Sequence, residues 1–148
     1  SPCTSIGGRD EAAIGREQLK RLDLMLEVRR RNALILNAGL AKIPGVQLQH
    51  ITKDGNHAWH QYCILIDPYE FGFDRSSLAE RLQVEGVATG VHYPRGLHQQ
   101  PIFEELYGKK SLPVTEYLAE HILALPVHHG LEESDVHRIV EMVRKVHG

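Results

Sequence analysis

The densest run of side chains able to do chemistry is His92-Tyr93-Pro94-Arg95-Gly96-Leu97-His98-Gln99-Gln100-Pro101. Its two imidazoles are side chains of a type that can donate hydrogen bonds or carry a proton. Tyr93 and Arg95 beside them can orient an anionic or sugar-like ligand. Proline and glycine in the same stretch mark a loop at a strand end, a common place for binding side chains, with a plain structured loop as the competing reading. The chain holds 10 histidines, which raises the question of a metal. The spacings speak against one: His57 and His60 are three apart on a predicted strand and so point to opposite faces, and neither HExxH nor a helical histidine pair occurs. Scattered surface or hydrogen-bonded histidines are expected instead. Arg29-Arg30-Arg31 points three ways around a helix and is diluted by Asp23 and Glu27, which predicts a solvated face rather than a phosphate site. There is no GxGxxG after a strand, P-loop, GxSxG elbow or catalytic cysteine–histidine signature, so no complete active site is visible.

The elements that must position this loop follow from periodicity. Ala12, Gly15, Leu19, Leu22, Leu26, Arg29, Ala33, Leu36, Leu40 and Ile43 recur at spacings of three and four. That pattern predicts one helix of about 30 residues, ~45 Å long, stopped by Pro44-Gly45. Such a helix is too long for a small domain to bury alone; it reads equally as half of a helical hairpin or as a spine to another body. Val46 to Thr52 and His57 to Asp67 alternate as strands around an Asp54-Gly55 turn, the second buried on both faces toward its end. Asp74 is placed to cap a helix stapled by Phe73 and Leu78 and ended by Gly86. Val87 to Tyr93 is expected as a third strand closed by Pro94. Pro113 opens a helix using Val114, Leu118 and Ile122, and Leu123 to His128 is a short extended segment. Glu132 is placed to cap a last helix with the stripe Val136, Ile139, Val140, Val143 and Val146. The order αββαβαα predicts an α+β fold: a long N-terminal helix and a small antiparallel or mixed sheet of three to four strands packed by helices.

Composition sets the outer limits. With 148 residues, 42% hydrophobic and 24% charged, one globular domain is expected, burying roughly 70% of its unfolded surface. A net charge of −2 gives no reason to bind nucleic acid. No apolar run approaches the roughly 20 residues of a membrane span and no signal segment opens the chain, which predicts a cytoplasmic protein. Cys3 and Cys63 are far apart in sequence, so neither a disulfide nor a thiolate metal site is expected, and Cys63 reads as a small core residue.

Three segments, AAIGREQLKRLDLMLEVRRRNALILNAGLAKIPGV, GVATGVHYPRGLHQQP and LALPVHHGLEESDVHRIVEMV, together resemble the C-terminal part of the DegT-type sugar aminotransferases. These are pyridoxal-phosphate (PLP)-dependent enzymes of the aspartate-aminotransferase fold superfamily. The resemblance runs from Ala12 to Val146 and implies that residues 12–148 are the family's small domain, with the long helix as its spine and residues 1–11 as an irregular tail. It further implies transamination of a keto sugar nucleotide, with glutamate or glutamine as amino donor. In the family, the Schiff-base lysine, the acid paired with the pyridinium nitrogen and the ring-stacking aromatic lie in a large N-terminal domain. None of Lys20, Lys42, Lys53, Lys109, Lys110 and Lys145 stands in the lysine's context. No cofactor is therefore expected in this chain alone.

The family's Asn-Tyr-Arg-Met stretch, which helps hold cofactor phosphate, is replaced here by Thr4-Ser5-Ile6-Gly7-Gly8-Arg9-Asp10-Glu11, so Arg9 is not assigned that role. The matching loop makes His92, Tyr93 and His98 the substrate-side candidates. The resulting expectation is a detached C-terminal domain, inactive alone, with a large-domain partner or a second copy of itself. The rival is a stand-alone interaction module self-associating through the helix positions off the main seam: Ile14, Leu24, Met25, Val28 and Ile35.

Overall fold

The apolar three-and-four spacing folds as helix, but in two tandem pieces: α1 (Gly8–Leu19) and α2 (Leu22–Leu40). The computed structural model describes residues 8–52 and 55–147, so Cys3, most of the expected tail and Asp54 of the expected turn lie outside the described residues. The helix itself begins at Gly8, ahead of the first periodic position. The single rod is interrupted at Lys20-Arg21. There Lys20 N–H reaches the Arg16 carbonyl only at 3.4 Å, and Arg21 N–H donates one residue short, to Gln18, at 3.0 Å. The physical reason is burial: from Asp10 to Leu19 every residue of α1 is exposed, so among the described residues little packing holds α1 in line with its neighbour. By contrast α2 buries Ala33, Leu36 and Leu40.

Three strands make the sheet: β1 (Val46–Leu48), β2 (Tyr62–Ile66) and β3 (Ile122–Leu125), in the order β1-β2-β3. Both pairings are antiparallel, with Val46 opposite Ile66 and Ile64 opposite Leu123. The centre strand is buried at Tyr62, Cys63, Ile64 and Ile66, as expected for a strand covered on both faces. The first two strands do pair, but residues 49–61 join them in place of a tight hairpin. The expected third strand, Val87 to Tyr93, is corrected: it touches the sheet at one bridge, Gly90 with Ala124, whose two backbone bonds measure 2.9 and 2.8 Å. The strand beside β2 is the short apolar run before Pro126, and the Gly90 bridge lies on its outer side.

Helices cover this sheet. Pro68–Phe71 forms α3, a single turn capped by Asp67. In α4 (Arg75–Val84) the Asp74 carboxylate accepts the Ser77 N–H at 2.8 Å, the cap the sequence predicts, and Leu78 and Leu82 are buried. The segments α5 (Pro101–Tyr107) and α6 (Pro113–His121) each carry proline in their first turn. The last helix, α7 (Glu133–His147), buries Val136, Ile139, Val140 and Val143 against α2 and α4. Its capping differs from expectation: the Asp135 carboxylate, three residues on, reaches back to accept the Glu132 N–H at 3.0 Å. Close approach of α7 to α2 needs Gly39, because a methyl group there would fall inside the contact distance of both Val140 methyl carbons. The α+β class holds, and no described helix is long and apolar enough to cross a membrane.

Candidate functional site

The bridge at Gly90 anchors the chain just before the loop, so His92 to Gln100 leave the sheet edge with their start fixed. The His92–Tyr93 peptide is cis. From Leu97 to Gln99 the loop tightens into a 3-10 turn, where Gly96 N–H donates to Gln99 Oε1 at 3.0 Å. A side chain at Gly96 has no room: a Cβ would lie 2.7 Å from His98 Nδ1 and 3.0 Å from Thr115 Cγ2. The loop is therefore pressed against α6 at this point.

Between loop and helix opens a cleft of ≈ 560 Å³, with His92, Tyr93, Arg95 and Leu97 on one wall and Thr115 and Leu118 on the other. Its polar groups sit among apolar walls, the usual make-up of a small-molecule site. Tyr93 is 78% exposed and Leu97 68% exposed, so both present ring or methyl surface left open among the described residues. His92 also lines a second, smaller cleft with Arg29, His60 and His128.

Two of the three candidate residues, His92 and Tyr93, thus come together at the cleft. His98 does not line it. Its side chain is only 10% exposed and its Nε2 lies 3.0 Å from Glu116 Oε1. The same Glu116 oxygen accepts the Leu112 N–H at 2.8 Å. These contacts, the Leu112 N–H first and the His98 ring second, hold the Glu116 carboxyl below the usual carboxylate range. An ionised carboxylate only accepts, so His98 Nε2 carries the proton.

Glu116 and Thr115 are absent from the sequence reading, which used α6 only through Val114, Leu118 and Ile122. Val114 and Leu118 are in fact exposed and only Ile122 is partly buried. One signal for Glu116 was present: an acidic residue in the first turn after Pro113 is placed to cap the helix start. Arg29, read as a seam position with a covering stem, has a directed role: its Nη1 donates to the carbonyls of Trp59 and His60. Cys63 is buried, and burial pushes its thiol up.

The lysine positions bear on PLP. Lys20 pairs with Glu17 and Lys145 with Glu85, while Lys109 and Lys110 are exposed near the end of α5. Lys42 borders a separate cleft with Gly39 and Arg144. Lys53 lies outside the described residues. Among the described residues no lysine lines the His92 cleft, so the side chains there do not fit a group that must be held as a lysine Schiff base. Likewise, among the described residues no cluster of three His, Cys, Asp or Glu is arranged to hold a metal.

Comparison with known proteins gives a consistent picture. The chain matches the DegT/DnrJ/EryC1/StrS aminotransferase family over residues 10–144. Among solved structures, the aminotransferase TlmJ from Streptoalloteichus hindustanus is 30% identical with a TM-score of 0.80, over 90% of this chain and 35% of that one. DesV of S. venezuelae, solved in complex with a ketimine intermediate, is 29% identical with a TM-score of 0.83, over 92% and 35%. DesI, solved in the presence of its TDP-sugar product, is 27% identical with a TM-score of 0.83, over 92% and 34%. This chain therefore spans about a third of the length of the relatives it matches.

Proposed function

The chain belongs to the DegT/DnrJ/EryC1/StrS aminotransferase family, and on that premise we propose that it is the small domain of a cytoplasmic, PLP-dependent nucleotide-sugar aminotransferase. It supplies the substrate-side wall of the active site. The lysine-bearing large domain comes from elsewhere, on the same polypeptide or on a partner chain, and this domain is inactive without it. The observation that carries the reading is the cleft in which His92, Tyr93 and Arg95 face Thr115 and Leu118. Arg95 is suited to the diphosphate of a nucleotide sugar, because a guanidinium stays charged and binds phosphate through paired N–H groups. His92 is suited to donate to a sugar oxygen or to move a proton there. Tyr93 and Leu97 offer flat apolar surface to the sugar ring or base. His98, seated behind the cleft, serves the substrate indirectly by shaping the loop. Amino transfer from glutamate or glutamine is the reaction this wall would serve, and no step through PLP follows from these side chains.

The test is to incubate the purified chain with PLP, reduce with borohydride and weigh the product. The reading expects no stoichiometric phosphopyridoxyl adduct. One equivalent fixed on a single lysine would overturn the claim that the cofactor lysine lies elsewhere.

A second reading has its own support. Ile14, Leu19, Leu24 and Leu34 are each more than 60% exposed along α1 and α2, while Met25, Val28 and Ile35 are partly buried. Uncovered apolar side chains of this size favour association. Self-association through this face makes the chain a homodimer, and a monomer by light scattering at high concentration would exclude it.

A further inference from the structure

We propose that Glu116 is the positioning residue of the cleft, joining its two walls through one carboxylate oxygen. This inference rests on the reading of the cleft as the substrate side of an aminotransferase. One wall is the loop carrying His92, Tyr93 and Arg95; the other is α6. Among the described residues, the bond from His98 Nε2 to Glu116 Oε1 is the one hydrogen bond linking loop residues 92–100 to α6. The bond sits beside Gly96, whose missing side chain leaves room for His98 and Thr115.

The partners explain why this contact outweighs an ordinary surface pair. His98 is nine-tenths buried, and its Nδ1 has no hydrogen-bond partner, so the Glu116 contact is the ring's sole hydrogen bond. Removing the carboxylate leaves a buried imidazole with no partner at either nitrogen, which costs more than the bond itself contributes. The ring then turns toward water and takes the loop with it. The same oxygen holds the Leu112 N–H, so the start of α6 and the loop are fixed to one atom. Cleft width and the placing of His92 and Arg95 follow from that atom's position. Glu116 does not line the cleft itself; it acts through His98.

The experiment compares the full chain with Glu116→Ala and Glu116→Gln by amide hydrogen exchange and by ¹⁵N spectra of the His98 ring. In Glu116→Ala, exchange at Gly96, Gln99 and Gln100 is expected to speed up by about tenfold or more, the equivalent of one charge-assisted hydrogen bond. Ile64 and Val140 should keep wild-type rates. The His98 ring should lose its single Nε2–H pattern. Glu116→Gln keeps an oxygen acceptor and should restore both readouts. Unchanged loop exchange and ring spectra in Glu116→Ala would overturn the proposal. So would an equal acceleration at Ile64 and Val140, which would make Glu116 a residue of general stability, or failure of Glu116→Gln to restore the ring pattern. A parallel titration with thymidine diphosphate glucose separates the two readings: if wild type does not bind it, the substrate assignment fails, while exchange and ring spectra still decide the role of Glu116.

Discussion

Arg29 of α2 reaches the backbone carbonyl of Trp59 across 2.8 Å, and the same nitrogen also donates to His60 at 3.1 Å. The chain turns sharply at that point, Trp59 having φ of 48° and its indole buried and tilted over Tyr62 with ring centres 5.3 Å apart. A single cation therefore holds the approach to the central strand against the helix.

Replacing Arg29 tests that link. Arg29→Lys puts a shorter side chain with a compact ammonium where one guanidinium nitrogen reached both carbonyls, and a loss of about 1–2 kcal/mol is expected. Arg29→Met keeps the covering stem but no donor, and should cost at least as much. Urea denaturation of the three proteins measures the difference.

Gly39 sets the spacing of the two central helices. Glycine inside a helix normally costs about 0.5–1 kcal/mol relative to alanine, so Gly39→Ala would stabilise an exposed helix. Here the added methyl meets both Val140 methyls, and overpacking costs about 1–3 kcal/mol. The expected net effect is a lower melting temperature, and Val140→Ala in the same chain should recover part of it.

Tyr62 is buried and donates its hydroxyl to Asn37 Oδ1 at 2.7 Å, tying β2 to α2; burial pushes its phenol well up. Tyr62→Phe keeps the ring and leaves Asn37 without that donor, for an expected loss of about 1–2 kcal/mol. Chemical denaturation of the variant and of Tyr62→Phe/Asn37→Leu reads out the coupling, since removing both partners should cost less than the sum.

The Asp74 carboxyl is held below the usual carboxylate range, chiefly by the Ser77 N–H. A depressed folded-state pKa gives stability that is present above the unfolded value of about 3.9 and lost as pH falls through the folded one. Asp74→Asn retains a capping oxygen without the titration. Its stability difference from wild type, read by urea denaturation, should therefore be larger at neutral pH than in acid below the carboxylate range.

Local signals gave the parts of this fold that depend on local physics. Asp74 before an apolar helix, Pro113 at a helix start and the stripe Val136 to Val143 each state their structure within a few residues, and each stands where expected. The break at Lys20-Arg21 leaves no local mark, because the apolar period continues through it; only the absence of burial along α1 decides it. Val87 to Tyr93 and Ile122 to Leu125 both have strand-like composition. Only the second pairs in register, with Tyr62 to Leu65, while the first runs along its outer side and bonds it at Gly90 alone, a difference set by tertiary packing. At the candidate site the paired imidazoles, proline and glycine made the loop legible. Glu116 was not legible, since its meeting with His98 spans 18 positions and exists only once loop and helix pack.

The central claim is that the cleft between the His92–Gln100 loop and α6 receives a nucleotide sugar. Half of a composite site binds weakly, so affinity in the millimolar range is expected. Amide chemical-shift mapping of the chain titrated with thymidine diphosphate glucose tests this most directly. The prediction is saturable shifts confined to His92–Gln100 and Thr115–Ile122, reduced when Arg95 is replaced by Ala. Saturable shifts centred on another surface, or none at these residues with the nucleotide sugar in the tens of millimolar, would contradict it.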